Sequence, residues 1–250
     1  MEEHRHSLSA SAGYTRASNM GPHTRFLQFV GYVLTPTVWR FGIAEDERMN
    51  DLVGAINAFQ ANAMFMTPTA ISLLRPADVP CIKDVILGGE VPKRESLLSW
   101  APMVRLTNGY GPAEAAVCAV MKTCLSPDTA PSSAGKTICC KTWVVDLLDD
   151  RRLAPVGAVG ELWLEGPSVT RGYLGLKEET SEAFLSRPPF LQGNEAAPKW
   201  RFSCTGNLAC YGADGDIRNL GRRDTQGNFG AGGLSCLKSS TVPPNFSEAL

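Results

Sequence analysis

The sequence lacks the marks of a secreted, membrane-bound or nucleic-acid-binding protein. Residues 1–13 are polar and contain two of the three histidines, so they lack the apolar run that a signal peptide or membrane span needs. The formal charge is -1, from 24 basic and 25 acidic side chains, which excludes a strongly basic surface for nucleic acid or anionic lipid. We expect a cytoplasmic protein with neither a nucleic-acid partner nor a membrane partner.

Patterns for a structural metal or for nucleophilic catalysis are also absent. The 8 cysteines are scattered, and none forms a Cys-x-x-Cys pair matched by a second pair or by spaced histidines. All three histidines fall within residues 1–23, which leaves no Ser-His-Asp or Cys-His arrangement. We predict no structural metal, and we interpret the cysteines as small, buried, reduced thiols.

What the sequence does contain is an alternation of helical and strand patterns. With 44% hydrophobic and 20% charged residues, the chain can bury a core, as one large domain or two small ones. The predicted helices cover residues 47–59, 71–74 and 94–100, and the predicted strands cover residues 63–66, 85–87 and 104–106. This alternation favours a parallel sheet covered on both faces, with ligands bound beyond the carboxyl ends of its strands. Two glycine-containing turns, at residues 88–90 and 108–112, are expected at that edge.

The pattern changes in the second half of the chain. Short alternating runs at residues 142–145 and 161–164 are typical of antiparallel strands or a barrel. A subdomain boundary is predicted within residues 126–134, and residues 227–250, rich in Gly, Ser and Pro, are expected to be a disordered tail. The expected fold class is therefore α/β: a parallel sheet flanked by helices, followed by an antiparallel β-barrel-like subdomain.

The most informative motif is the run from Asn108 to Glu114, Asn-Gly-Tyr-Gly-Pro-Ala-Glu. Gly109 and Gly111 would let the backbone approach a ligand, and Pro112 would stiffen the exit from the turn. The Glu114 carboxylate is a ligand of the type that Mg²⁺ takes together with substrate oxygens. The residues themselves thus indicate a site for a phosphate-bearing ligand.

Five segments at compatible spacing carry a family resemblance: residues 87–90, 108–114, 160–174, 201–208 and 220–226. Together they resemble the adenylation domains of nonribosomal peptide synthetases, within the acyl-adenylate-forming, or AMP-binding, superfamily. The resemblance implies that residues 1–226 form a partial adenylation domain with that superfamily's N-terminal core. It also implies ATP-dependent activation of an amino acid or other carboxylic acid as an acyl-adenylate, in secondary metabolite biosynthesis.

The resemblance implies a site for ATP or AMP, with Mg²⁺, drawn from four of these segments; residues 160–174 match a stretch that the family uses mainly structurally. Its nucleotide residues are Gly88, Gly89, Glu90, Asn108, Gly109, Tyr110, Gly111, Ala113, Asn207 and Arg222. In this assignment Tyr110 stacks on adenine, Glu114 holds Mg²⁺, and Asp224 is the hinge of a C-terminal lid. Ala113 stands where the family has a phosphate-contacting threonine, and Asn207 where it has an aspartate that accepts hydrogen bonds from the ribose. These two departures predict weakened nucleotide binding.

The resemblance also implies an acyl pocket. Its residues are Thr35, Pro36, Trp39, Phe65, Val85, Leu87, Gly109, Val117 and Cys118. Thr35 stands where the family has an acid that pairs the substrate's α-ammonium in a poorly solvated site. This departure favours an aryl or other non-amino acid, or a pocket without selectivity, and keeps open a luciferase-like or acyl-CoA-ligase relative. Taken alone, Phe65, Val85 and Leu87 fit an ordinary core better than a pocket.

Two parts of the family's catalytic machinery have no counterpart in residues 1–250. One is the Ser-, Thr- and Gly-rich loop whose backbone N–H groups cradle pyrophosphate, and the other is the lid lysine. The expectation is therefore that the chain is inactive alone. The alternative is a non-catalytic module that binds an adenylate or docks on a synthetase or carrier-protein partner.

Overall fold

The computed structural model describes residues 3–18, 20–28, 41–42, 50–116, 118–192 and 198–223. Five residues with predicted roles lie outside this described part, as does the expected tail at 227–250: Thr35, Pro36, Trp39, Val117 and Asp224. No helix among the described residues has both the length and the apolar character needed to cross a membrane.

Five parallel strands form the first half of the sheet. They are β1 (Phe26–Gln28), β2 (Phe41–Gly42), β3 (Ala63–Met66), β4 (Asp84–Gly88) and β5 (Arg105–Tyr110), in the order β2-β1-β3-β4-β5. Each neighbouring pair is parallel. The parallel sheet and the predicted strands at 63–66 and 85–87 are confirmed, because continuous apolar runs suit strands that are buried on both faces.

Helices α1 (His4–Ser18), α2 (Leu52–Ala58), α3 (Pro68–Ile71) and α4 (Arg94–Trp100) accompany these strands. α4 has the predicted bounds. α3 begins earlier than the predicted helix at 71–74, because the Thr67 side chain accepts a hydrogen bond from Ala70 N and Pro68 occupies the first turn. The prediction missed this cap and placed the helix one turn too late.

The second half of the sheet is antiparallel, as expected. It contains β6 (Val120–Lys122), β7 (Ser133–Thr137), β8 (Lys141–Val145), β9 (Gly160–Glu165), β10 (Phe184–Leu185), β11 (Phe202–Tyr211) and β12 (Ile217–Arg222), with α5 at Lys177–Ala183. β6 pairs antiparallel with β5, and the order continues β7-β12-β11-β9-β8, with β10 on β11. The two halves therefore share one hydrogen-bonded sheet.

The residues predicted as a turn at 108–112 are mainly strand. Asn108 pairs with Leu87 of β4, and Tyr110 pairs with Val120 of β6, so the strand continues to Tyr110. Gly109 is needed for close packing and not for a turn, because a Cβ there would lie 3.3 Å from Cys118 Sγ. The prediction of a turn at residues 108–110 was wrong, since glycine in a strand can mark a close neighbour as well as a bend.

Buried side chains divide between the two faces of the parallel strands. Val85 and Leu87 pack with Trp100 on one face. Phe65 and Ile86 pack with Tyr14 of α1 on the other. This division follows from the alternation of side chains along β4. A third cluster fills the antiparallel half around Val144, Leu162, Leu164 and Ile217.

Candidate functional site

A cavity of about 190 Å³ opens where the carboxyl ends of β4 and β5 meet β11 and β12. Its lining comes from five separate stretches of the chain: Gly89, Glu90, Val91, Asn108, Gly109, Tyr110, Gly111, Pro112, Pro131, Ser132, Ala134, Asn207, Asn219 and Arg222. Eight of these residues were assigned to the nucleotide site from the sequence. Two others assigned there, Gly88 and Ala113, do not line this cavity.

An irregularity in β11 brings Asn207 to the cavity. Cys204 pairs with Trp163 of β9, but the next pair joins Leu208 to Glu161, so β11 carries extra residues at this point. Gly206, at φ +68, permits the bend, and the Thr205 hydroxyl anchors it by donating to Leu162 O at 2.6 Å. The bulge places an amide side chain beside the end of β5.

Asn207 and Tyr110 are hydrogen-bonded to each other at one wall of the cavity. Asn207 Nδ2 donates to the Tyr110 hydroxyl at 2.8 Å and to Thr205 O at 3.2 Å. Desolvation by burial raises the pKa of Tyr110 to about 12, and the nearby Arg222 acts in the opposite direction. The phenol is therefore neutral at physiological pH, with its ring fixed at the end of β5.

A second bulge, in β12, brings Asn219 and Arg222 to the same side. Asn219 pairs with Ala209, and Gly221 pairs with the adjacent Leu208, so one residue of β12 is left unpaired between them. Positions three apart normally face opposite sides of a strand, and the extra residue reverses this parity. The Asn219 side chain accepts a hydrogen bond from Gly221 N at 3.0 Å, which fixes the bulge.

Arg222 lies beside the β11 bulge. It pairs with Asn207 across the two strands, and its Nη2 atom would be only 3.2 Å from a Cβ on Gly206. Glycine at 206 therefore leaves room for the guanidinium at the cavity wall. Arg223 supports the same bulge, since its N donates to Gly206 O at 2.7 Å and its Nη1 lies 3.1 Å from Glu161 Oε2.

The other rim of the cavity is formed by Gly89 and Glu90. Gly89 has φ +84, a conformation that favours glycine, at the turn out of β4. The Glu90 carboxylate accepts hydrogen bonds from Thr69 N at 3.0 Å and from Thr69 Oγ1 at 2.6 Å. Gly88 faces away from the cavity, where a Cβ would meet Phe65 Cζ at 2.5 Å.

A buried polar network holds Asn108 in place below the cavity. Asn108 Nδ2 donates to Ser133 O at 3.0 Å. The Ser133 hydroxyl lies 3.2 Å from Asp216 Oδ2, and Lys122 forms a salt bridge with the same carboxylate. Asp216 is only 5% exposed. The network links β5, β6 and β7 to the residue that precedes β12, at the junction of the two sheet halves.

Glu114, the predicted magnesium ligand, lies just outside the cavity. Its carboxylate accepts a hydrogen bond from the Tyr173 hydroxyl at 2.5 Å, and its carbonyl accepts one from Thr170 N at 2.8 Å. The described residues contain no group of three or more His, Cys, Asp or Glu side chains that could hold a metal ion. Glu114 fits only a site completed by ligand oxygens, which is a common way of binding Mg²⁺.

The structure does not bring the predicted acyl-pocket residues together. Phe65 and Cys118 belong to the cluster on the α1 face of the sheet, whereas Val85 and Leu87 belong to the cluster on the opposite face. The assignment was wrong by one residue along β4, because the neighbour Ile86 shares the face of Phe65 and Cys118. Leu87 and Val85 are core residues at 0% exposure.

Several cavity residues escaped the sequence analysis. Ser132 and Pro131 come from the β6–β7 connection, which appeared only as a subdomain boundary. Asn219 was missed because strand alternation from Arg222 would place it on the other face. The sequence feature that could have indicated the bulge is Gly221 within a strand; in the structure its φ is +104.

Comparison with known proteins identifies the family of this chain. The sequence profile described as AMP-binding enzyme matches residues 19–174. The chain is 34% identical over 235 residues to the nonribosomal peptide synthetase atnA of Emericella nidulans, and 41% identical over 217 residues to resC of Aspergillus sclerotiorum. These matches cover 90% and 86% of this chain. The chain spans only 3% of atnA and 16% of resC.

Solved structures agree in fold. A four-domain nonribosomal peptide synthetase, holo-AB3403 bound to AMP and glycine, matches 87% of this chain and 17% of its own, with a TM-score of 0.74 at 19% identity. CmiS6 matches 89% of this chain and 58% of its own, with a TM-score of 0.73 at 21% identity. The predicted resemblance is thereby confirmed. The chain belongs to the AMP-binding enzyme family, and its relatives there are nonribosomal peptide synthetases.

Proposed function

We propose that this chain binds the adenine nucleotide of an acyl-adenylate in the cavity between β5 and the β11–β12 pair. The observation that carries the proposal is convergence. Tyr110 lies about a hundred positions before the β11–β12 hairpin that carries Asn207 and Arg222, yet the three residues line one cavity. Each supplies a chemistry that a nucleotide needs: an aromatic face, a hydrogen-bonding amide and a cation.

Tyr110 would provide the stacking surface for the base. Its ring is fixed by the backbone pairing of β5 with β4 and β6 and by the hydroxyl bond to Asn207. A ring held in place loses little conformational entropy on binding, so stacking contributes more of its free energy to affinity. The peptide groups at Gly89 and Gly111 have no side chains to keep a purine edge away.

Asn207 and Arg222 would contact the sugar and the phosphate side. The Asn207 amide oxygen is an acceptor for a ribose hydroxyl, while its Nδ2 donors are already used by Tyr110 and Thr205. Arg222 supplies positive charge at the same wall for an anionic ligand. Because the Asn207 amide is neutral, its bond to ribose lacks the charge assistance that an aspartate would give.

Glu114 would hold Mg²⁺ together with phosphate oxygens. When bound, the ion would neutralise negative charge on the phosphate groups. The Tyr173 hydroxyl positions the Glu114 carboxylate, because it donates to one oxygen and leaves the other available. Ala113, which is exposed, presents only a methyl group near the phosphate end.

We infer that the whole protein to which these residues belong activates a carboxylic or amino acid as an acyl-adenylate for a carrier-protein partner. The support is the family and its nonribosomal peptide synthetase relatives. For residues 1–250 alone, the proposed activity is nucleotide binding with little or no adenylation. For the whole protein, the competing function is a non-catalytic adenylate-binding module, which the neutral Asn207 and the methyl group of Ala113 favour.

Calorimetric titration with AMP tests the nucleotide site. We expect binding with a Kd in the micromolar range, on the order of 8 kcal/mol of binding free energy. Truncating the stacking ring in Y110A should weaken binding by about tenfold or more, since a base-aromatic stack contributes about 1–3 kcal/mol. Unchanged AMP affinity in folded Y110A would refute the proposed site.

A matched control is Y211A. Tyr211 is also a half-buried tyrosine, at the end of β11, but its hydroxyl donates to Thr142 O at 2.6 Å, away from the cavity. This variant should keep the AMP affinity of the parent chain. Carboxylate-dependent exchange of pyrophosphate into ATP then tests the low activity proposed for residues 1–250: exchange would contradict it, and AMP binding without exchange would support it.

A further inference from the structure

The carboxylate of Glu161, on β9, binds the bulge of β11 that carries Asn207. Glu161 Oε1 accepts a hydrogen bond from Gly206 N at 3.1 Å, and Oε2 accepts one from Arg223 Nη1 at 3.1 Å. The Glu161 side chain is only 12% exposed. It does not line the cavity, so any contribution that it makes to ligand binding passes through another residue.

These contacts belong to a closed ring of hydrogen bonds among Glu161, Gly206 and Arg223. Arg223 N donates to Gly206 O at 2.7 Å, so the residue that pairs with the Glu161 carboxylate also binds the backbone of the bulge. Each of the three residues is thereby bonded to the other two. Both polar backbone groups of Gly206 have a partner, the carboxylate for its N–H and the Arg223 N–H for its carbonyl.

The bulge needs such partners because the regular strand ladder does not supply them. Residues 205–207 of β11 lie opposite the single residue Leu162 of β9. Peptide groups in a bulge are displaced from the ladder, and a buried N–H without an acceptor is costly. The Thr205 hydroxyl fixes one side of the bulge by donating to Leu162 O at 2.6 Å. The Glu161 carboxylate fixes the next residue, immediately before Asn207.

The direction of the Asn207 side chain depends on the shape of this bulge. Asn207 Nδ2 donates to the Tyr110 hydroxyl at 2.8 Å, which requires the amide to face the cavity. A shift of one residue in a strand turns the following side chains to the opposite face. The bond from Gly206 N to a carboxylate is charge-assisted, so it opposes such a shift more strongly than a neutral bond would.

We propose that Glu161 is a positioning residue of the nucleotide site, which holds the Asn207 amide at the cavity wall without touching the ligand. Its effect on affinity rests on the proposed function, whereas its effect on the position of Asn207 does not. The role is also new for the segment 160–174, which the family resemblance presents as mainly structural. Arg223 contributes by holding the second carboxylate oxygen.

The position of Asn207 can be measured by NMR without any ligand. Its side-chain amide gives a pair of proton–nitrogen resonances, which are assigned by their absence from the spectrum of N207D. E161L removes both acceptor oxygens, so this pair should move towards the shifts of a solvent-exposed amide. An unchanged Asn207 pair in folded E161L would overturn the proposal.

E165L is the matched control for E161L. Glu165 also lies on β9 and is only 5% exposed, but its carboxylate pairs with Lys141, away from the cavity. Loss of this carboxylate should leave the Asn207 resonances and the AMP affinity as they are in the parent chain. An equal shift of the Asn207 pair in E165L and E161L would overturn the specific role of Glu161.

Calorimetric titration with AMP measures the effect on binding. E161L should weaken binding by about fivefold to tenfold, which is the size of one lost hydrogen bond. In the N207A background, E161L should cause no further loss, because the residue through which Glu161 acts is absent. An equal loss in both backgrounds would show that Glu161 acts by another route, and the assignment to Asn207 would fall.

Two milder variants, E161Q and R223M, test the ring while disturbing the fold less. E161Q keeps an acceptor for Gly206 N but loses the charge that pairs with Arg223, and R223M breaks the same pair from the other side. Because the Arg223 side chain is 49% exposed, each variant should weaken AMP binding by only about twofold. The combined variant should be no weaker than either single one. Multiplied losses would mean that the two residues do not share one bond.

The two measurements separate this inference from the proposed function. A parent chain that did not bind AMP would refute the nucleotide site, and the Asn207 resonances would still decide the role of Glu161. Urea unfolding curves establish that each variant is folded. If E161L did not fold, a shifted Asn207 pair in folded E161Q would support the role, and an unchanged pair would overturn it.

Discussion

The Asn207 amide donates a hydrogen bond to the Tyr110 hydroxyl across 2.8 Å, although 97 positions of sequence separate the two residues. The bond joins the end of the last parallel strand to a bulge in the antiparallel half. Its geometry fixes both the aromatic ring and the amide at one wall of the cavity. Each partner is therefore a sensitive position for testing the proposed nucleotide site.

Replacing Asn207 by aspartate should strengthen nucleotide binding. A carboxylate would accept hydrogen bonds from the Tyr110 hydroxyl and from a ribose hydroxyl. Such charge-assisted hydrogen bonds are roughly twice as strong as neutral ones. Arg222 at the same wall offsets the added negative charge. We expect N207D to lower the Kd for AMP by about fivefold, or about 1 kcal/mol. Weaker binding of AMP by N207D in calorimetry would contradict the assigned role.

Alkaline pH should reveal the buried Tyr110 phenol. Its pKa is about 12 in the folded chain, against 10.0 for an ordinary tyrosine, so the unfolded chain loses this proton first. The folded state then binds more protons than the unfolded state, and stability falls as pH rises from about 10 towards about 12. Below that interval the contribution is fully present. Y110F has no such group.

The measurement is the difference in unfolding free energy between the parent chain and Y110F, taken by urea denaturation below and above about pH 10, the ordinary tyrosine pKa. The parent chain should lose more stability over this interval than Y110F. Tyr14, whose pKa burial also raises, is present in both chains and cancels in the difference. Parallel losses in the two chains would show that Tyr110 titrates normally.

The salt bridge between Lys122 and Asp216 should be important for stability at the junction of the two sheet halves. D216A leaves the Lys122 ammonium, 28% exposed, without its partner, and removes the acceptor for the Ser133 hydroxyl. Breaking a buried pair costs about 3–5 kcal/mol, and the partial exposure of Lys122 places this loss at the lower end. Denaturant unfolding measures it. The double variant K122M/D216L should recover most of the stability, and a double variant as unstable as D216A would argue against an electrostatic cause.

The placement of Leu87 in the core, and not in an acyl pocket, predicts a large loss of stability when its side chain is truncated. Leu87 is fully buried against the core that contains Trp100, so L87A should cost about 2–5 kcal/mol of unfolding free energy. Leu98, on α4, is 55% exposed and serves as the control, for which a change within about 0.5 kcal/mol is expected. If L87A were as stable as L98A, residue 87 would not be core and the pocket assignment would regain support.

Local sequence patterns predicted the elements whose stability is local. α4 was found at its predicted bounds, and the apolar runs that became β3 and β4 are long enough to mark buried strands. The helix α3 was displaced because a single side-chain cap at Thr67, together with Pro68, decides where it begins. Periodicity does not detect such a cap when the helix has only one turn.

The site was harder to predict where register, and not residue type, decides the outcome. Gly109 indicated a turn, but its function is to make room for Cys118 inside a strand. Val85 and Leu87 were assigned to the acyl pocket together with Phe65 and Cys118. Because side chains alternate along β4, Ile86 lies on the face of Phe65 and Cys118, and Val85 and Leu87 lie on the opposite face. Asn219 reaches the cavity through an unpaired residue in β12. A shift of one residue changes the face of every side chain that follows, and sequence alone does not reveal such shifts.

The continuous sheet has a consequence for how such proteins can be recombined. The cavity is lined by strands before residue 123, by residues 131–134 and by strands after residue 201, and the network around Asp216 joins them. A chimaera that crosses over in the connection between β6 and β7 would combine a tyrosine from one parent with a bulge from another. Such crossovers should be tolerated only when both parents share the same partners at 108, 122, 207 and 216. The residues that line this cavity should therefore be transferred between proteins together and not one sheet half at a time.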